Sequence, residues 1–403
     1  MNAPADPPFN APVEKIRAYQ DELSALRRDI HAHPELAFEE SRTSSLVAEK
    51  LAGWGIETHR GLARTGLVGV VKGRSVASGR AIGLRADMDC LPMHETNGFA
   101  HKSQHEGRMH ACGHDGHTTM LLGAARYLAE TRNFDGTAYL IFQPAEENGG
   151  GGRVMVEEGL FRKFPVEAVY ALHNWPGLPP GQMAVGAGPM MAATDDVIIT
   201  VRGKGGHAAM PHLTVDPVLA SAHMITALQS IASRNVSPVE SIVVSLTSMQ
   251  TSQVGAHNVI PDEVRLMGTV RSFLPATREL AEKRVREIAG KVAEALGASA
   301  TVDYRRGYPA TINTLREAGF AAEVGERVFG KGNVIVDPPP TMGGEDFAYM
   351  LQERPGAYVF LGQGGGPHNC FLHNPGYDFN DEVIPLGAGY LAALVEQSLP
   401  LRA

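Results

Sequence analysis

The residues best suited to chemistry in this chain of 403 residues lie in short polar segments between regular patterns. Cys112 and His114 stand two residues apart in the loop MHACGHDGHTTM (109–120), which leads into a helical pattern. A thiolate and an imidazole at this spacing suit zinc or another transition metal. A buried, inert cysteine beside a structural histidine is the alternative, and this pair alone does not decide between them.

Two adjacent glutamates occur in a second segment, FQPAEENGGGG (142–152), between an apolar run and a run of glycines. Neighbouring carboxylates on an irregular loop point to different places, so one can bind a metal while the other accepts a proton from water. A solvated acidic turn is the simpler alternative. It gives no reason, however, for placing Glu146 and Glu147 between these two features.

Three further segments add candidate ligands. His173 in ALHNWPG (171–177) and His373 in CFLHNPGYDFND (370–381) stand where apolar runs change to turns. A lone histidine in such a place is usually a core residue, but two of them beside the other motifs favour metal ligation. In RADMDCLP (85–92), Asp87 and Asp89 either bind a metal, orient a ligand or start a turn.

Histidine is unusually dense in one part of the chain. Of the 16 histidines, six lie close together: His94, His101, His105, His110, His114 and His117. Such a cluster favours metal or acid–base chemistry, but it assigns no role to His117 or to the neighbouring Asp115.

An alternation of helix and strand patterns positions these segments. Helical patterns precede and separate apolar runs of strand length at 67–71, 81–85, 137–142 and 166–172; the helices are expected at 12–31, 40–52, 115–131 and 151–160. This alternation predicts an α/β fold with a mostly parallel sheet. Ligands of such sheets gather beyond the carboxyl ends of the strands, and four of the five segments follow predicted strands.

The pattern changes after Gly188. Strands at 194–202, 241–249, 264–273 and 300–305, with helices at 214–233 and 276–296, predict an α+β unit of four strands and two helices. From about residue 310 the mixed pattern resumes. We therefore predict a catalytic domain formed by residues 1–190 and 306–403, interrupted by an inserted domain of residues 191–305.

Composition argues against several classes of protein. The net charge of −8 disfavours nucleic acid or an anionic membrane as a partner. No stretch approaches the ~18 uninterrupted apolar residues of a membrane span, and the N-terminus has no secretory signal pattern. Three cysteines form no disulfide framework and favour a reducing compartment. We expect a cytoplasmic protein.

Taken together, the motifs resemble the family of N-acyl-amino-acid amidohydrolases. The resemblance rests on HACGHDGH, QPAEE, LHNWP, GKGGHAAMPH and LHNPGYDF, and it extends from HPELAFEE (33–40) to NPGYDFND (374–381). The family includes hippurate hydrolase and the plant hydrolases of indole-acetyl amino acids, and more distantly aminoacylase and carboxypeptidase G. The resemblance implies a metal-dependent hydrolase that cleaves the amide bond of small N-acyl amino acids with an activated water.

The resemblance also implies a metal site and a base. Two divalent metal ions, manganese or zinc with nickel or cobalt as alternatives, would be held by Cys112, His114, Glu147, His173 and His373. Glu146 would be the general base. Asp89 would orient a ligand rather than bind metal, because distant peptidase members have His-x-Asp where this chain has Asp-Met-Asp. The role of Asp87 stays open.

Within the inserted domain, the resemblance assigns three residues to the substrate. His207 would polarise the scissile carbonyl, from the same subunit or from the partner, while Asn258 and Arg271 would bind the substrate. The inserted domain would act as a lid and would form a homodimer. GGEDF (343–347) would lie near the site.

Other functions remain as alternatives. A dipeptidase or carboxypeptidase would use the same metal site. A cysteine hydrolase would use Cys112 as nucleophile and His114 as base, and would resist chelators. A non-catalytic metal-binding scaffold would be expected to lack Glu146 or His207, and this sequence has both.

Overall fold

The structure, a computed structural model, describes residues 11–401, which fold into two compact units. The first comprises the chain up to residue 190, residues 311–339 and the chain from residue 346; the second comprises residues 191–310 and 340–345. The predicted insertion, 191–305, lies inside the second unit. That unit also takes in 306–310 and 340–345, which the sequence pattern had assigned to the catalytic domain.

The chain forms helices α1 (Ala11–Arg17), α2 (Gln20–Ala32), α3 (Ser41–Gly53), α4 (His114–Thr131), α5 (Gly151–Glu157), α6 (Leu160–Lys163), α7 (Pro217–Leu228), α8 (Pro275–Ala295), α9 (Leu315–Phe329), α10 (Ala348–Glu353) and α11 (Ile384–Ser398). The strands are β1 (Glu57–Leu62), β2 (Gly66–Lys72), β3 (Ala81–Asp87), β4 (Thr137–Gln143), β5 (Ala168–Trp175), β6 (Met183–Val185), β7 (Gly188–Met191), β8 (Ala193–Arg202), β9 (Gly206–His207), β10 (Ile242–Thr251), β11 (Val259–Ile260), β12 (Glu263–Ser272), β13 (Ser299–Arg306), β14 (Thr311–Asn313), β15 (Val334–Val336) and β16 (Gly356–Gly362).

An eight-stranded sheet organises the first unit, in the order β1-β2-β4-β3-β5-β16-β6-β15. Its centre, from β4 to β16, is parallel, and antiparallel pairs lie on both sides. β3 and β16 are buried at every residue, as expected of central parallel strands that are covered on both faces. The predicted α/β fold is confirmed.

The parallel centre of the sheet brings the chemical motifs together. β3 ends at Asp87, β4 at Gln143 and β5 at Trp175. Because these three strands are neighbours and parallel, the loops that follow them leave from one edge of the sheet. The loop with Cys112 reaches the same region, since α4 begins at His114 and packs against β3.

Two features of the first unit differ from the sequence pattern. The helix expected over 12–31 is two helices, since Tyr19 has non-helical backbone angles; its ring packs against the Arg126 guanidinium at 4.0 Å. The apolar spacing continues across this break and so conceals it. β16 was not predicted as a strand, although it is as buried as β3.

The second unit has a four-stranded antiparallel sheet, in the order β10-β12-β8-β13, with α7 and α8 packed against it. Burial alternates along β8, so one face of the sheet forms the core of this unit. α7 starts later than the predicted residue 214 because the Asp216 carboxylate caps its start by accepting the N–H groups of Val218 and Leu219. It also ends earlier than the predicted residue 233, at Leu228. The predicted α+β architecture is confirmed.

Among residues 11–401, no helix combines the length and apolar character that crossing a membrane would need.

Candidate metal centre

The five side chains predicted to bind metal lie together in the first unit. Three overlapping groups with donor atoms within 4.8 Å of one another contain at least two of these side chains: Cys112 with His114 and His173, Cys112 with Glu147 and His373, and His114 with Glu146 and Glu147. Cys112 Sγ lies 3.4 Å from His173 Nε2. Glu147 Oε1 lies 3.3 Å from His373 Nε2 and 3.9 Å from His114 Nε2.

A glycine in a left-handed conformation allows Cys112 and His114 to face the same place. Gly113 has φ +93°, and a Cβ atom there would lie 2.3 Å from Asn174 Oδ1. His114 is the first residue of α4, and its Nδ1 donates to the Asp89 carbonyl at 2.9 Å. This bond fixes the ring and leaves Nε2 directed away from the backbone.

The donor atoms fit divalent metal ions. Among the described residues, His114 Nε2 is a buried atom without a hydrogen-bond partner, which is costly unless another group satisfies it. A set of one thiol, three imidazoles and a carboxylate suits zinc or a neighbouring transition metal. The chain therefore offers metal ligands in the chemical forms that such ions select.

Burial controls protonation at Cys112 and His173. Burial, with the nearby carboxylates of Glu147 and Glu146, raises the pKa of the Cys112 thiol well above its usual range. Burial, with His117 beside it, holds the pKa of His173 well below the usual range. A neutral imidazole is the form that binds metal, and a thiolate at Cys112 requires a positive charge nearby, which a metal ion provides.

The loop that carries the two glutamates is held through its backbone. Asp89 accepts the N–H of Glu146 at 2.9 Å and that of Glu147 at 3.0 Å, each with a different carboxylate oxygen. Glu146 is 6 % exposed, and its Oε1 accepts the N–H of Asp346 at 3.3 Å. The glycine run turns the chain sharply, since a Cβ on Gly151 would lie 1.8 Å from the Pro144 carbonyl oxygen.

His373 reaches the centre from a distant segment. Its N–H donates to the Ala111 carbonyl at 2.8 Å, which ties its loop to the one that carries Cys112. His373 has φ +60°, unusual for a residue with a side chain. Burial would raise the pKa of Glu147, but His373 and His114 outweigh it and lower that pKa, so the carboxylate stays ionised.

Asp87 and His117, whose roles the sequence leaves open, support this centre. His117 Nδ1 lies 2.6 Å from Asp87 Oδ1 and its Nε2 lies 2.6 Å from Asn174 Oδ1, so both ring nitrogens are occupied. Arg85 donates to Asp87 Oδ2 at 2.7 Å. Burial opposes ionisation of Asp87, but Arg85, His114 and His117 keep its pKa well below the usual range.

Sequence reasoning missed two residues beside the site. Asn174 lies next to His173 and donates to the Tyr377 hydroxyl at 2.8 Å. Asp346, in the segment GGEDF, accepts from Arg85, Gln143 and the Gly152 N–H. Their place inside polar motifs was a signal, but spacing alone does not show what they contact.

The three residues predicted to bind substrate lie in the second unit. His207, on β9, pairs with Val259 of β11, and the Ala208 N–H donates to the Asn258 carbonyl at 2.9 Å. His207 and Asn258 are thus neighbours on an exposed two-stranded ribbon. Arg271 lies on β12 and donates to Thr269 Oγ1 at 3.1 Å. Burial lowers the pKa of Arg271, although the carboxylates of Asp196 and Asp195 act in the opposite direction. The roles of these three residues stay predictions.

The fold and the donor set together fit a metal-dependent enzyme. The sequence profile described as Peptidase family M20/M25/M40 matches residues 83–397, and the chain belongs to this family. The family resemblance carried by the motifs is confirmed, and with it the predicted class of enzyme, a metal-dependent amidohydrolase.

Three known proteins illustrate the similarity. Hippurate hydrolase of Campylobacter jejuni is 41% identical over 382 residues, which cover 95% of this chain and 98% of that protein. IAA-amino acid hydrolase ILR1-like 5 of Arabidopsis thaliana is 39% identical over 398 residues, covering 96% and 89%. The crystal structure of the Bacillus subtilis YXEP protein, described as a dinuclear metal binding peptidase from the M20 family, has a TM-score of 0.82 at 33% identity, covering 95% and 99%.

Proposed function

We propose that this enzyme hydrolyses the amide bond of small N-acyl amino acids, hippurate-like or N-acetylated. The observation that carries the proposal is the group formed by His114, Glu146 and Glu147, whose donor atoms lie within 4.8 Å of one another. It combines ligands for a metal with a second carboxylate beside them. The similarity to a hippurate hydrolase and to an IAA-amino acid hydrolase supports this class of substrate.

The proposed chemistry divides the adjacent glutamates. Cys112, His114, Glu147, His173 and His373 would hold divalent metal ions, which would supply Lewis acidity and lower the pKa of water towards neutrality. Glu146 accepts the proton of the attacking water and delivers it to the leaving nitrogen, the usual double role of such a base. Asp89 keeps both glutamates in place through their N–H groups.

The inserted unit supplies the groups proposed for the substrate. His207 donates a hydrogen bond to the oxyanion that develops on the scissile carbonyl, which is often the largest contribution to catalysis. Arg271 binds the free carboxylate of the amino-acid half, because a guanidinium fork matches a carboxylate. Asn258, beside His207 on the ribbon, assists in holding the substrate.

We further propose manganese or zinc as the metal, with nickel or cobalt as alternatives, since the donor set accepts all four. A homodimer formed through the inserted unit is proposed on the family resemblance. No disulfide joins the three cysteines, all of which lie among the described residues, and this supports a reducing, cytoplasmic setting.

A substrate panel on chelated and refilled enzyme tests the function. The purified protein is stripped with a chelator, refilled separately with each of the four metals, and assayed on N-benzoylglycine, N-acetyl amino acids, indole-acetyl amino acids and dipeptides. We expect no turnover without metal and restored turnover with at least one metal, with N-acyl amino acids cleaved faster than dipeptides.

Each alternative function has its own outcome in this panel. Faster cleavage of dipeptides would favour a dipeptidase or carboxypeptidase. Activity that survives chelation and is abolished by iodoacetamide would favour a cysteine hydrolase, with Cys112 as the candidate nucleophile. Stoichiometric metal binding without turnover of any substrate would favour a scaffold.

A further inference from the structure

Glu40, the last residue of the segment HPELAFEE, is fully buried and has no part in the chemistry proposed above. Its Oε1 accepts the N–H of Phe38 at 3.0 Å and the N–H of Ala145 at 2.8 Å. Its Oε2 accepts the Thr65 hydroxyl at 2.6 Å. The carboxyl group is therefore bonded through both oxygens, and one of its donors comes from the loop that carries Glu146.

Ala145 directly precedes Glu146 and has φ +56°. A side chain makes this left-handed conformation unfavourable, so the turn persists only where its surroundings hold it. The N–H groups of Ala145, Glu146 and Glu147 are donated in succession to Glu40 and Asp89. Two buried carboxylates from other segments thus fix three consecutive peptide groups of this loop.

We propose that Glu40 is a positioning residue for the hydrolysis: it holds Ala145 in the left-handed turn and thereby sets the direction of the Glu146 side chain. The inference rests on the proposed function, in which Glu146 transfers the proton. Asp89 and Glu40 have separable tasks. Asp89 accepts the N–H groups of both glutamates, whereas Glu40 accepts the N–H of Ala145. Without Glu40 the turn at Ala145 relaxes, and Glu146, which follows it directly, is displaced more than the metal ligand Glu147.

Shape rather than charge is what Glu40 contributes. Burial raises the pKa of Glu40 to about 7, although the hydrogen bond from Thr65 lowers it. The environment therefore tolerates a neutral group at this position. A glutamine keeps an oxygen that can accept from Ala145 and Phe38. An aspartate keeps the charge, but it is one methylene shorter and does not reach the loop.

The test compares Glu40→Gln, Glu40→Asp and Glu40→Ala. For each variant, kcat and KM for N-benzoylglycine, bound metal and amide hydrogen exchange of residues 143–152 are measured. In the Ala and Asp variants we expect kcat to fall by roughly 10- to 100-fold, the range typical of residues that orient active-site groups. We expect KM and metal content to change by less than about twofold, because the substrate and metal ligands stay in place. Exchange in the loop should become faster.

The Gln variant should stay within about threefold of the wild type in kcat, since it retains the acceptor. Glu39→Gln is the matched control: this neighbour is exposed and pairs with Arg108 on the surface, and it should change nothing. Should Glu40→Ala fail to fold, the comparison of Gln with Asp still decides.

Three results would overturn the proposal. These are wild-type kcat and exchange in the Asp or Ala variant, equal loss of kcat in the Gln and Asp variants, and loss of metal in proportion to kcat. Failure of the proposed function is visible separately, as wild-type enzyme without turnover of any N-acyl amino acid; loop exchange still reports on Glu40 in that case.

Discussion

Glu146 and Glu147 are neighbours in sequence but meet different groups. Glu147 faces His373 and His114, while Glu146 Oε1 accepts a backbone N–H from Asp346. A ligand needs a lone pair directed at the metal, whereas a base needs an oxygen that can accept and release a proton. These surroundings support the proposed division of the pair, with Glu147 as ligand and Glu146 as base.

The division predicts the behaviour of Glu146→Gln. The amide cannot accept a proton from water, so kcat should fall by a factor of about 10² or more, while metal content stays unchanged because Glu147 is intact. Kinetics and metal analysis on the same sample measure both. Glu157→Gln, an exposed change on α5, serves as control. Full activity in Glu146→Gln would remove this residue from the mechanism.

A second residue-scale prediction concerns Gly113→Ala. The added Cβ would meet Asn174 Oδ1 at 2.3 Å in a left-handed backbone, so strain of ~1–2 kcal/mol and overpacking of ~1–3 kcal/mol should combine. We expect a lower melting temperature and weaker metal binding. Gly107→Ala has a similar φ, +75°, but nothing within 4 Å. An equal loss in both variants would mean that backbone strain alone, without the clash, is responsible.

Among the secondary-structure elements, α2 contacts the segments that carry the metal ligands through Arg27, which is 1 % exposed. Arg27 lies 3.6 Å from Asp115 in the first turn of α4, and 2.8 Å and 2.6 Å from Asp378 and Asp381. Asp115 lies on α4, the helix that begins at His114, while Asp378 and Asp381 lie in the segment after His373. The ion pairs of Arg27 therefore connect α2, α4 and the segment after His373. The hydrophobic patterns of these segments do not predict this connection.

Replacing Arg27 and Arg28 in turn should distinguish the stability that a buried ion pair contributes from the stability that an exposed pair contributes. Arg27→Met removes a buried cation from carboxylates that keep other partners, Asp115 with His31 and Asp381 with Arg28, so the free energy of unfolding should fall by about 3 kcal/mol, the lower end for a broken buried pair. Arg28 pairs with Asp381 at 2.8 Å but is 52% exposed, so Arg28→Met should cost at most ~1 kcal/mol. Denaturant titration gives both values. Similar costs would show that the buried network contributes little.

The same network makes stability depend on pH through His31, which is buried between Asp115 and Glu95. Burial and Arg27 oppose its protonation, but the bonds to these carboxylates raise the pKa of His31 to about 9. Protonated His31 therefore stabilises the folded state. This contribution is complete below the unfolded-state pKa near 6.5 and is lost as the pH rises through the folded-state pKa of about 9. The contribution is ~3 kcal/mol at most.

Melting temperature measured from pH 6.5 to 9.5 tests this linkage. The wild type should lose stability over the interval, and His31→Gln should lose less, because it has no proton to release there. His59→Gln, at an exposed site, should follow the wild type. Parallel curves for all three proteins would exclude His31 as the titrating group.

At the scale of the whole molecule, the proposed roles are distributed between two units. Every predicted metal ligand lies in the first unit and every predicted substrate residue of the insertion lies in the second. Neither unit alone contains the full set of residues that the resemblance implies. The predicted homodimer bears on this point, because His207 could serve the chain it belongs to or the partner.

Gel filtration and subunit mixing test the predicted dimer. A homodimer should elute at about twice the chain mass of 43.1 kDa. Glu146→Gln and His207→Ala should each be inactive; mixed after dissociation, they should recover about a quarter of wild-type activity if His207 acts on the partner, since half of randomly paired dimers hold one complete site. No recovery would mean that His207 acts on the substrate bound by its own chain. A monomer would exclude action on the partner.

The sequence by itself determined the two-domain α/β fold and the family, because strand and helix periodicities and five polar motifs are local properties of the chain. It could not determine that His117 is occupied by Asp87 and Asn174, that the first helix is broken at Tyr19, or that Glu40 holds the loop before Glu146. The contacts of His117 and Glu40 join residues far apart in sequence, and the break lies where Tyr19 packs against Arg126; no periodicity encodes these contacts. Only the tertiary structure, by placing loops after parallel strands at one edge, decided which of the candidate side chains meet.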